Sequence, residues 1–352
     1  MKNYKVGVLG ATGAVGQKFI RLLEDHPWFT VTAIGASERS AGKPYHEAAH
    51  WIEDISIPEN VKNQIVKTCD PKAMGDVDFV FSGLDAAVAG GLELEIAKAG
   101  IPVITNARNY RREAHVPLLV PEVNPGHIEM IKKQSYTAEN KGFIVTNPNC
   151  VCVPLTLSLK PLADAFGIES IVVTSMQAVS GAGYPGVPSL DIMGNVMPHI
   201  GGEEEKIMWE PQKVLGTLQN DGTVKNAGIP IHASAYRVPV LEGHLLSVLV
   251  KLGKKNVSLE AAKEAYANWV SPIAHHQLPS SPEHPVKLME NVFFPQPRLH
   301  AYSAKGMQVS VGKLRKAGVY DFAYTALGHN TIRGAAGGAV LNAELLVAEG
   351  YL

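Results

Sequence analysis

Hydrophobic and polar positions change period repeatedly along this chain. Residues 4–9 form a short apolar strand, which runs into Gly10-Ala-Thr-Gly13-Ala-Val-Gly16, and residues 17–23 then repeat at helical spacing. Further strands are predicted over 31–34, 77–82 and 102–105, with a helix over 92–98. Strands alternating with helices predict a parallel sheet. Residues 143–146 read as its last strand, delivering Cys150 to the carboxyl end of the sheet, where open α/β folds place ligands. Beyond Pro161 the texture changes. Strand character at 170–176, 233–240, 245–251, 308–314 and 322–326 predicts a mixed sheet, and 203–215 reads as a helix. The Gly- and Pro-rich stretches 180–202 and 278–297 read as surface or interface loops. Residues 330–348 are rich in Gly and Ala, with helical periodicity in the later part, so that segment can approach a cofactor or another helix closely.

The expected fold is therefore α/β: an N-terminal Rossmann-type dinucleotide-binding domain over 1–149, completed by a C-terminal helix over 330–352, and a second α+β domain with a mixed sheet over 150–329. Length agrees, because 352 residues exceed what one hydrophobic core usually organises. A net charge of −1 offers no field for nucleic acid or an anionic membrane, so neither is an expected partner, and any charged ligand must be held locally. No apolar run reaches the length of a bilayer span. The cysteines, Cys69, Cys150 and Cys152, suggest no disulfide framework, and the opening residues lack a signal-peptide apolar region, so a reducing cytoplasm is the expected compartment.

Two segments carry candidate chemistry. Gly10, Gly13 and Gly16 stand between a strand and an amphipathic helix, where glycines bring backbone N–H groups and a helix start onto a pyrophosphate. After the second strand comes Ala36-Ser37-Glu38-Arg39-Ser40; Arg39 and the two hydroxyls suit the 2′-phosphate of NADP, while Glu38 is able to take ribose hydroxyls as in NAD enzymes. The second segment is Cys150, at the start of a helix, where unpaired N–H groups and the helix dipole favour thiolate. Taken alone, it reads as readily as a small buried hydrophobe.

A nucleophilic cysteine needs an acid/base partner, and His244 stands apart from the other histidines because Gly243-His244 directly precedes a strongly apolar strand. Arg237 offers a planar guanidinium to a carboxylate, or forms an ordinary salt bridge. Gln177 ends a strand beside a glycine turn, where its amide is able to orient a carbonyl.

Together these blocks resemble the aspartate-semialdehyde dehydrogenases, specifically their archaeal and fungal type branch. The resemblance runs from Lys5 to Ala348. It is carried by Gly10 to Gly16, Ser37-Glu-Arg-Ser40, Val116-Pro-Leu-Leu-Val-Pro-Glu-Val-Asn124, Thr146-Asn-Pro-Asn-Cys150, Gln177-Ala-Val-Ser-Gly-Ala-Gly183, Arg237-Val-Pro-Val with Gly243-His244, and His329-Asn-Thr-Ile-Arg-Gly-Ala-Ala-Gly337. It implies Cys150 as nucleophile, His244 as acid/base, Gln177 as the substrate-orienting amide and Arg237 as the clamp on the substrate carboxylate. It further implies Glu210 at the substrate amine, Lys213 and Arg111 at phosphate, and Asn149 beside the oxyanion. The NADP(H) site it implies comprises Gly10, Thr12, Gly13, Ala14, Val15, Gly16, Ser37, Arg39, Ser40, Ser82, Gly83, Ser180, Gly181 and Asn330, with no metal.

The implied reaction is reductive dephosphorylation of β-aspartyl phosphate to L-aspartate 4-semialdehyde, in the route to lysine, threonine and methionine, by a homodimer or homotetramer. The chain departs from the family in two places. Val151-Cys152 follows the nucleophile where Ser or Thr is usual, putting a helix cap or a cofactor contact in question, and Gly328 precedes His329 where relatives often carry a carboxylate. Cys152 reads as a core residue, since a Cys-x-Cys metal site would need further ligands. Rival readings are malonyl-CoA reductase, N-acetyl-glutamyl-phosphate reductase, and a catalytically silent NADP-binding regulator, which would have no reason to keep Cys150, Gln177, Arg237 and His244 together.

Overall fold

The computed structural model describes residues 3–136 and 141–352. In the N-terminal part, β1 (Tyr4–Leu9), β2 (Phe29–Ala36), β3 (Lys67–Thr68), β4 (Phe79–Ser82), β5 (Val103–Thr105) and β6 (Ile144–Thr146) form one sheet, ordered β3-β2-β1-β4-β5-β6. Every pairing is parallel. The strand order reverses beside β1, and ligands of open α/β sheets bind at such a switch point. Both faces of the sheet are covered, which is why β1 and β4 are almost continuously apolar. The helix Ala14–Leu23 packs on one face through Phe19, Ile20 and Leu23, with Phe19 stacked on Phe81 at 4.9 Å between ring centroids. The helix Gly337–Ala348 also enters this core.

The second sheet contains β7 (Ile168–Gln177), β10 (Ile231–Arg237), β11 (His244–Leu252), β12 (Val286–Met289), β13 (Val309–Ala317) and β14 (Tyr320–Gly328), ordered β10-β7-β11-β14-β13-β12. It is mixed as expected: the β10–β7 and β12–β13 pairs at the two edges are parallel and the three inner pairs antiparallel. A short hairpin of β8 (Thr217–Leu218) and β9 (Val224–Lys225) stands apart. The helix Cys152–Phe166 buries Leu155, Leu157, Leu159 and Leu162 in the core of this sheet.

Two readings of the sequence need correction. Residues 278–297 are not loop throughout, because β12 adds an edge strand there; its four residues are flanked by prolines and carry only a short apolar signal. Helix does not begin at Asn330 either. A wide turn over Ile332–Ala336 comes first, with Ala335 out of helical geometry, and the regular helix starts at Gly337.

This topology gathers chemistry at one place. Gln177 and Arg237 are register partners at the ends of β7 and β10, and His244 starts the neighbouring β11. The turn after β6 brings Cys150 to them from the other sheet.

Candidate active site

Cys150 Sγ lies 3.2 Å from His244 Nε2. The turn carrying the thiol is pinned from several directions. Asn147 donates to Asn106 Oδ1 and to the Ala335 carbonyl, both at 2.9 Å, and accepts from Asn342. A Cβ on Gly334 would sit 2.8 Å from Cys150 Cβ, so glycine is required for the C-terminal segment to pass behind the nucleophile. Asn149 Oδ1 accepts the Val151 N–H at 2.8 Å, and Val151, standing at the N-cap of the helix, gives it no side-chain cap. Cys152 is fully buried in the core, as its reading predicted.

Burial works against the expected thiolate. Cys150 stands two residues ahead of the first helical residue, and burial together with Glu203 pushes its thiol up to about 12, against the pull of Arg111, Arg237 and Lys206. The side chain is free and half-buried. Burial, Arg237 and His329 hold His244 down to about 3, so its ring is neutral.

Around this pair stand groups of both signs. Arg237 is buried, donates to the Ala178 carbonyl at 2.8 Å, and has no carboxylate within ion-pair distance among the described residues, so it is not an ordinary salt bridge. Gln177 points its amide at Glu203 (3.2 Å), as does Asn149 (2.9 Å), and Lys206 pairs with the same carboxylate at 2.5 Å. Burial acts to raise Glu203, yet Lys206 and the two amides hold it below the usual carboxylate range. Glu203 and Lys206, one helical turn apart on Glu203–Val214, were missed by the sequence reading. The only signal was a Glu-x-x-Lys spacing repeated at Glu210 and Lys213, seven residues on.

That repeat explains two corrections. Lys213 is buried with its ammonium engaged by the carbonyls of Arg111 (2.9 Å), Glu113 (2.7 Å) and Val116 (2.8 Å), which leaves no proton for phosphate. Glu210 is fully buried between Arg111 Nη1 (2.7 Å) and the Asn149 N–H (2.5 Å), out of reach of a substrate amine. Arg111 keeps a buried Nε with no partner among the described residues and acts electrostatically on Cys150, so it remains a candidate anion contact. The Asn149 side chain belongs first to Glu203 and the Val151 N–H, not to an oxyanion.

The residues expected at the cofactor line the switch point. Gly10 has φ +71°, and a Cβ on Gly16 would lie 2.2 Å from Gly10 O, so the helix start comes as close to the strand end as backbone allows. Gly13 is exposed at the tip, and Thr12, Ala14 and Val15 are partly open beside it. Ser37 and Arg39 are exposed at the end of β2 with Ser40 half-buried, and Arg39 has no side-chain partner among the described residues. Ser82 is a correction: it is fully buried and donates its hydroxyl to Glu93 at 2.6 Å, supporting the turn from beneath, while Gly83 packs against Gly16. Asn330 Nδ2 donates to Ser180 Oγ and its Oδ1 accepts the Gly243 N–H, each at 2.8 Å, which ties the loop after β7 to the approach to His244; Gly181 lies against the His244 ring. A cavity of about 540 Å³ runs from Ala14 past Ser180 to Leu241 and Glu242. At Gly328, a Cβ would meet Pro154 at 2.7 Å, which leaves no room for a side chain there.

Sequence comparison agrees with this arrangement. Residues 5–131 match the family described as semialdehyde dehydrogenase, NAD binding domain, and residues 159–333 match semialdehyde dehydrogenase, dimerisation domain. The chain is 48% identical over 347 residues to an aspartate-semialdehyde dehydrogenase of Archaeoglobus fulgidus and 46% identical over 357 residues to one of Schizosaccharomyces pombe, each alignment covering 99% of both chains. The crystal structure of aspartate semialdehyde dehydrogenase with NADP from Candida albicans superposes with a TM-score of 0.92 at 40% identity, covering 100% of both chains. Aspartate semialdehyde dehydrogenase II of Vibrio cholerae, complexed with ASA, gives 0.77 at 26% identity over 99% of both chains. With a thiol–imidazole pair at the meeting of a dinucleotide-type sheet and a mixed sheet, and full-length relatives at this identity, the chain belongs to the aspartate-semialdehyde dehydrogenase family.

Proposed function

We propose that this chain catalyses the reversible, NADPH-dependent reductive dephosphorylation of L-4-aspartyl phosphate to L-aspartate 4-semialdehyde through a thioester on Cys150. The observation that carries this reading is the 3.2 Å contact between Cys150 and His244 inside a ring of Arg111, Arg237, Lys206, Glu203 and Gln177. Each charge answers one on the substrate. Arg237 takes the α-carboxylate, Glu203 the ammonium, and Lys206 with Arg111 the phosphate, so Glu203 and Lys206 fill the roles first expected of Glu210 and Lys213. The Gln177 amide orients the acyl carbonyl above Sγ.

NADPH, when bound, supplies the hydride that reduces the thioester. Gly10, Thr12, Gly13, Ala14, Val15 and Gly16 suit its pyrophosphate because they offer backbone N–H groups and a helix start with no side chain in the way. Ser37, unpartnered Arg39 and Ser40 suit a 2′-phosphate; Gly83 packs against the glycine turn, and Ser180, Gly181 and Asn330 border its His244 side. His244 and the backbone N–H groups around Cys150 stabilise the tetrahedral oxyanion, at about 3 to 4 kcal/mol per donor.

The reading places cofactor binding in residues 1–149 with 330–352, and catalysis and subunit contact in 150–329. Leu190, Met193 and Val196 are exposed close together in sequence between β7 and the helix Glu203–Val214, which suits a homodimer. No helix among the described residues is long and apolar enough to cross a membrane, and the cytoplasm is the proposed compartment. The test is turnover in the oxidative direction: NADPH should form from L-aspartate 4-semialdehyde and inorganic phosphate, and malonyl-CoA should not support NADPH oxidation. The reverse pattern would favour the malonyl-CoA reductase reading.

A further inference from the structure

One crossing of the chain touches both members of the thiol–imidazole pair. β14 ends at Gly328, the register partner of His244 on β11, and the chain then runs through residues 329–336 into the helix Gly337–Ala348 of the other core. On the imidazole side, Asn330 Oδ1 accepts the Gly243 N–H at 2.8 Å, one residue before His244. On the thiol side, a Cβ on Gly334 would lie 2.8 Å from Cys150 Cβ and 2.9 Å from its Cα, and the Ala335 carbonyl accepts from Asn147 Nδ2 at 2.9 Å. The Gly334 N–H donates to the His329 carbonyl at 2.9 Å, so both sets of contacts belong to one closed turn. Where this turn sits therefore sets how far Sγ lies from Nε2.

Arg333 stands at its centre. Its side chain is 1% exposed, and Nη2 donates to Oε2 of the fully buried Glu122 at 2.5 Å. Glu122 follows a segment that pairs with β6: the Leu119 N–H donates to the Thr146 carbonyl and the Thr146 N–H to the Pro117 carbonyl, each at 2.9 Å. Asn124 closes the loop around Glu122, accepting the Val120 N–H at 2.8 Å and donating to the Leu118 carbonyl at 2.9 Å. Arg333 thus ties the crossing to the strand that ends in the nucleophile's turn.

As a stabiliser the pair is poor. Arg333 Nε and Nη1 and Glu122 Oε1 are buried with no partner among the described residues, and desolvation of two charges offsets much of their attraction. As an anchor it is well made, because a planar guanidinium on a buried carboxylate fixes the backbone of residue 333 and hence that of Gly334. A close-packed interior passes such a placement on, and reacting groups displaced by about 1 Å can lose about 100-fold in rate.

We propose that Arg333 is a positioning residue for the reaction: anchored on Glu122, it holds residues 330–335 against Cys150 and Gly243 and so keeps the thiol within reach of His244. The proposal rests on the reading of Cys150 and His244 as the reacting pair. Both Arg333 and Glu122 are buried, so they act through the turn and not on the substrate.

Kinetics and thiol chemistry on the full chain test this. Arg333→Met should lower kcat in the oxidative direction at least about tenfold, while the KM values for phosphate and NADP stay within about twofold. A lone buried carboxylate at Glu122 can prevent folding, so Arg333→Met is also combined with Glu122→Gln, which removes both charges; this variant should fold and show the same loss in kcat. A pair that is structural alone would lower the melting temperature and leave the kcat of the folded molecules within about twofold, and that result would overturn the proposal. The second readout needs no turnover: it is the rate at which iodoacetamide alkylates Cys150 at fixed pH, followed by peptide mapping. His244→Asn should change that rate at least about tenfold in the parent chain and less than about threefold in the chain carrying Arg333→Met and Glu122→Gln. An equal effect of His244→Asn in both backgrounds would also overturn the proposal. Failure to oxidise L-aspartate 4-semialdehyde would strike the functional reading instead, and the alkylation rates would still decide whether Arg333 couples thiol to imidazole.

Discussion

Glu210 holds the turn of Asn149 in place while neutralising Arg111. One carboxylate oxygen accepts the Asn149 N–H and the other the Arg111 guanidinium, all three groups being buried. A residue expected to touch the substrate amine is instead the brace between an anion contact and the nucleophile's turn. Replacing it with Gln leaves Arg111 without a counter-ion in a low-dielectric place, where breaking a buried pair costs about 3 to 5 kcal/mol. Glu210→Gln should lower stability by that order in urea denaturation and also raise the KM for inorganic phosphate in the oxidative direction. A loss under about 1 kcal/mol would show that the pair is well solvated.

Lys206 and Lys213 separate by the same logic. Lys213→Met leaves three buried carbonyls without their donor and should reduce stability by about 1 to 3 kcal/mol, with little change in the KM for phosphate among the molecules that fold. Lys206→Met should do the opposite, raising the KM for phosphate at least about tenfold with the smaller loss of stability of the two, since the Lys206 ammonium is partly exposed. Steady-state kinetics beside thermal melts distinguishes the two.

These lysines mark where the sequence stops being legible. The strand at Tyr4–Leu9, the glycine turn and the switch point could be read directly, because a doubly covered parallel sheet writes continuous apolar runs and its phosphate turn writes glycines. Cys150, Gln177, Arg237 and His244 could be found because each stands at a strand or helix end, and the fold brings them together. Which turn of Glu203–Val214 faces the cleft was not legible. Both turns carry Glu-x-x-Lys, and only the packing of the second against Arg111 to Val116 decides. The upward pull on the Cys150 thiol was also hidden, since the helix dipole is a local feature and burial beside Glu203 is a tertiary one.

Arg39 has no partner among the described residues, so its removal should disturb nothing but a ligand. Arg39→Ala should raise the KM for NADP about tenfold or more while leaving that for NAD nearly unchanged, because only the former carries a 2′-phosphate. Equal effects on both cofactors, measured in parallel steady-state assays, would contradict the contact.

Acid should unfold the protein through its buried histidines. Burial holds His127 down to about 4, and His244 and His329 down to about 3, from an ordinary 6.5. Between about pH 6.5 and 4 the unfolded chain binds protons that the folded chain refuses, so stability is complete above about pH 6.5 and is lost as pH falls toward these values. Glu93, which burial pushes up to about 7, and Glu210 and Glu242, which burial also raises, act in the opposite sense over part of that window. Urea midpoints should therefore fall steadily from about pH 7 to about pH 4.5. A midpoint that rises over that range would show these rings already protonated in the folded state.

The central claim is that Cys150, held against His244, attacks the acyl carbon. Its most direct measurement is oxidative turnover of Cys150→Ser, with Cys152 left intact, on L-aspartate 4-semialdehyde, phosphate and NADP. A loss of at least about 1000-fold in kcat, with the fold intact by circular dichroism, is the result this account predicts. Turnover within about tenfold of the unaltered chain would contradict it.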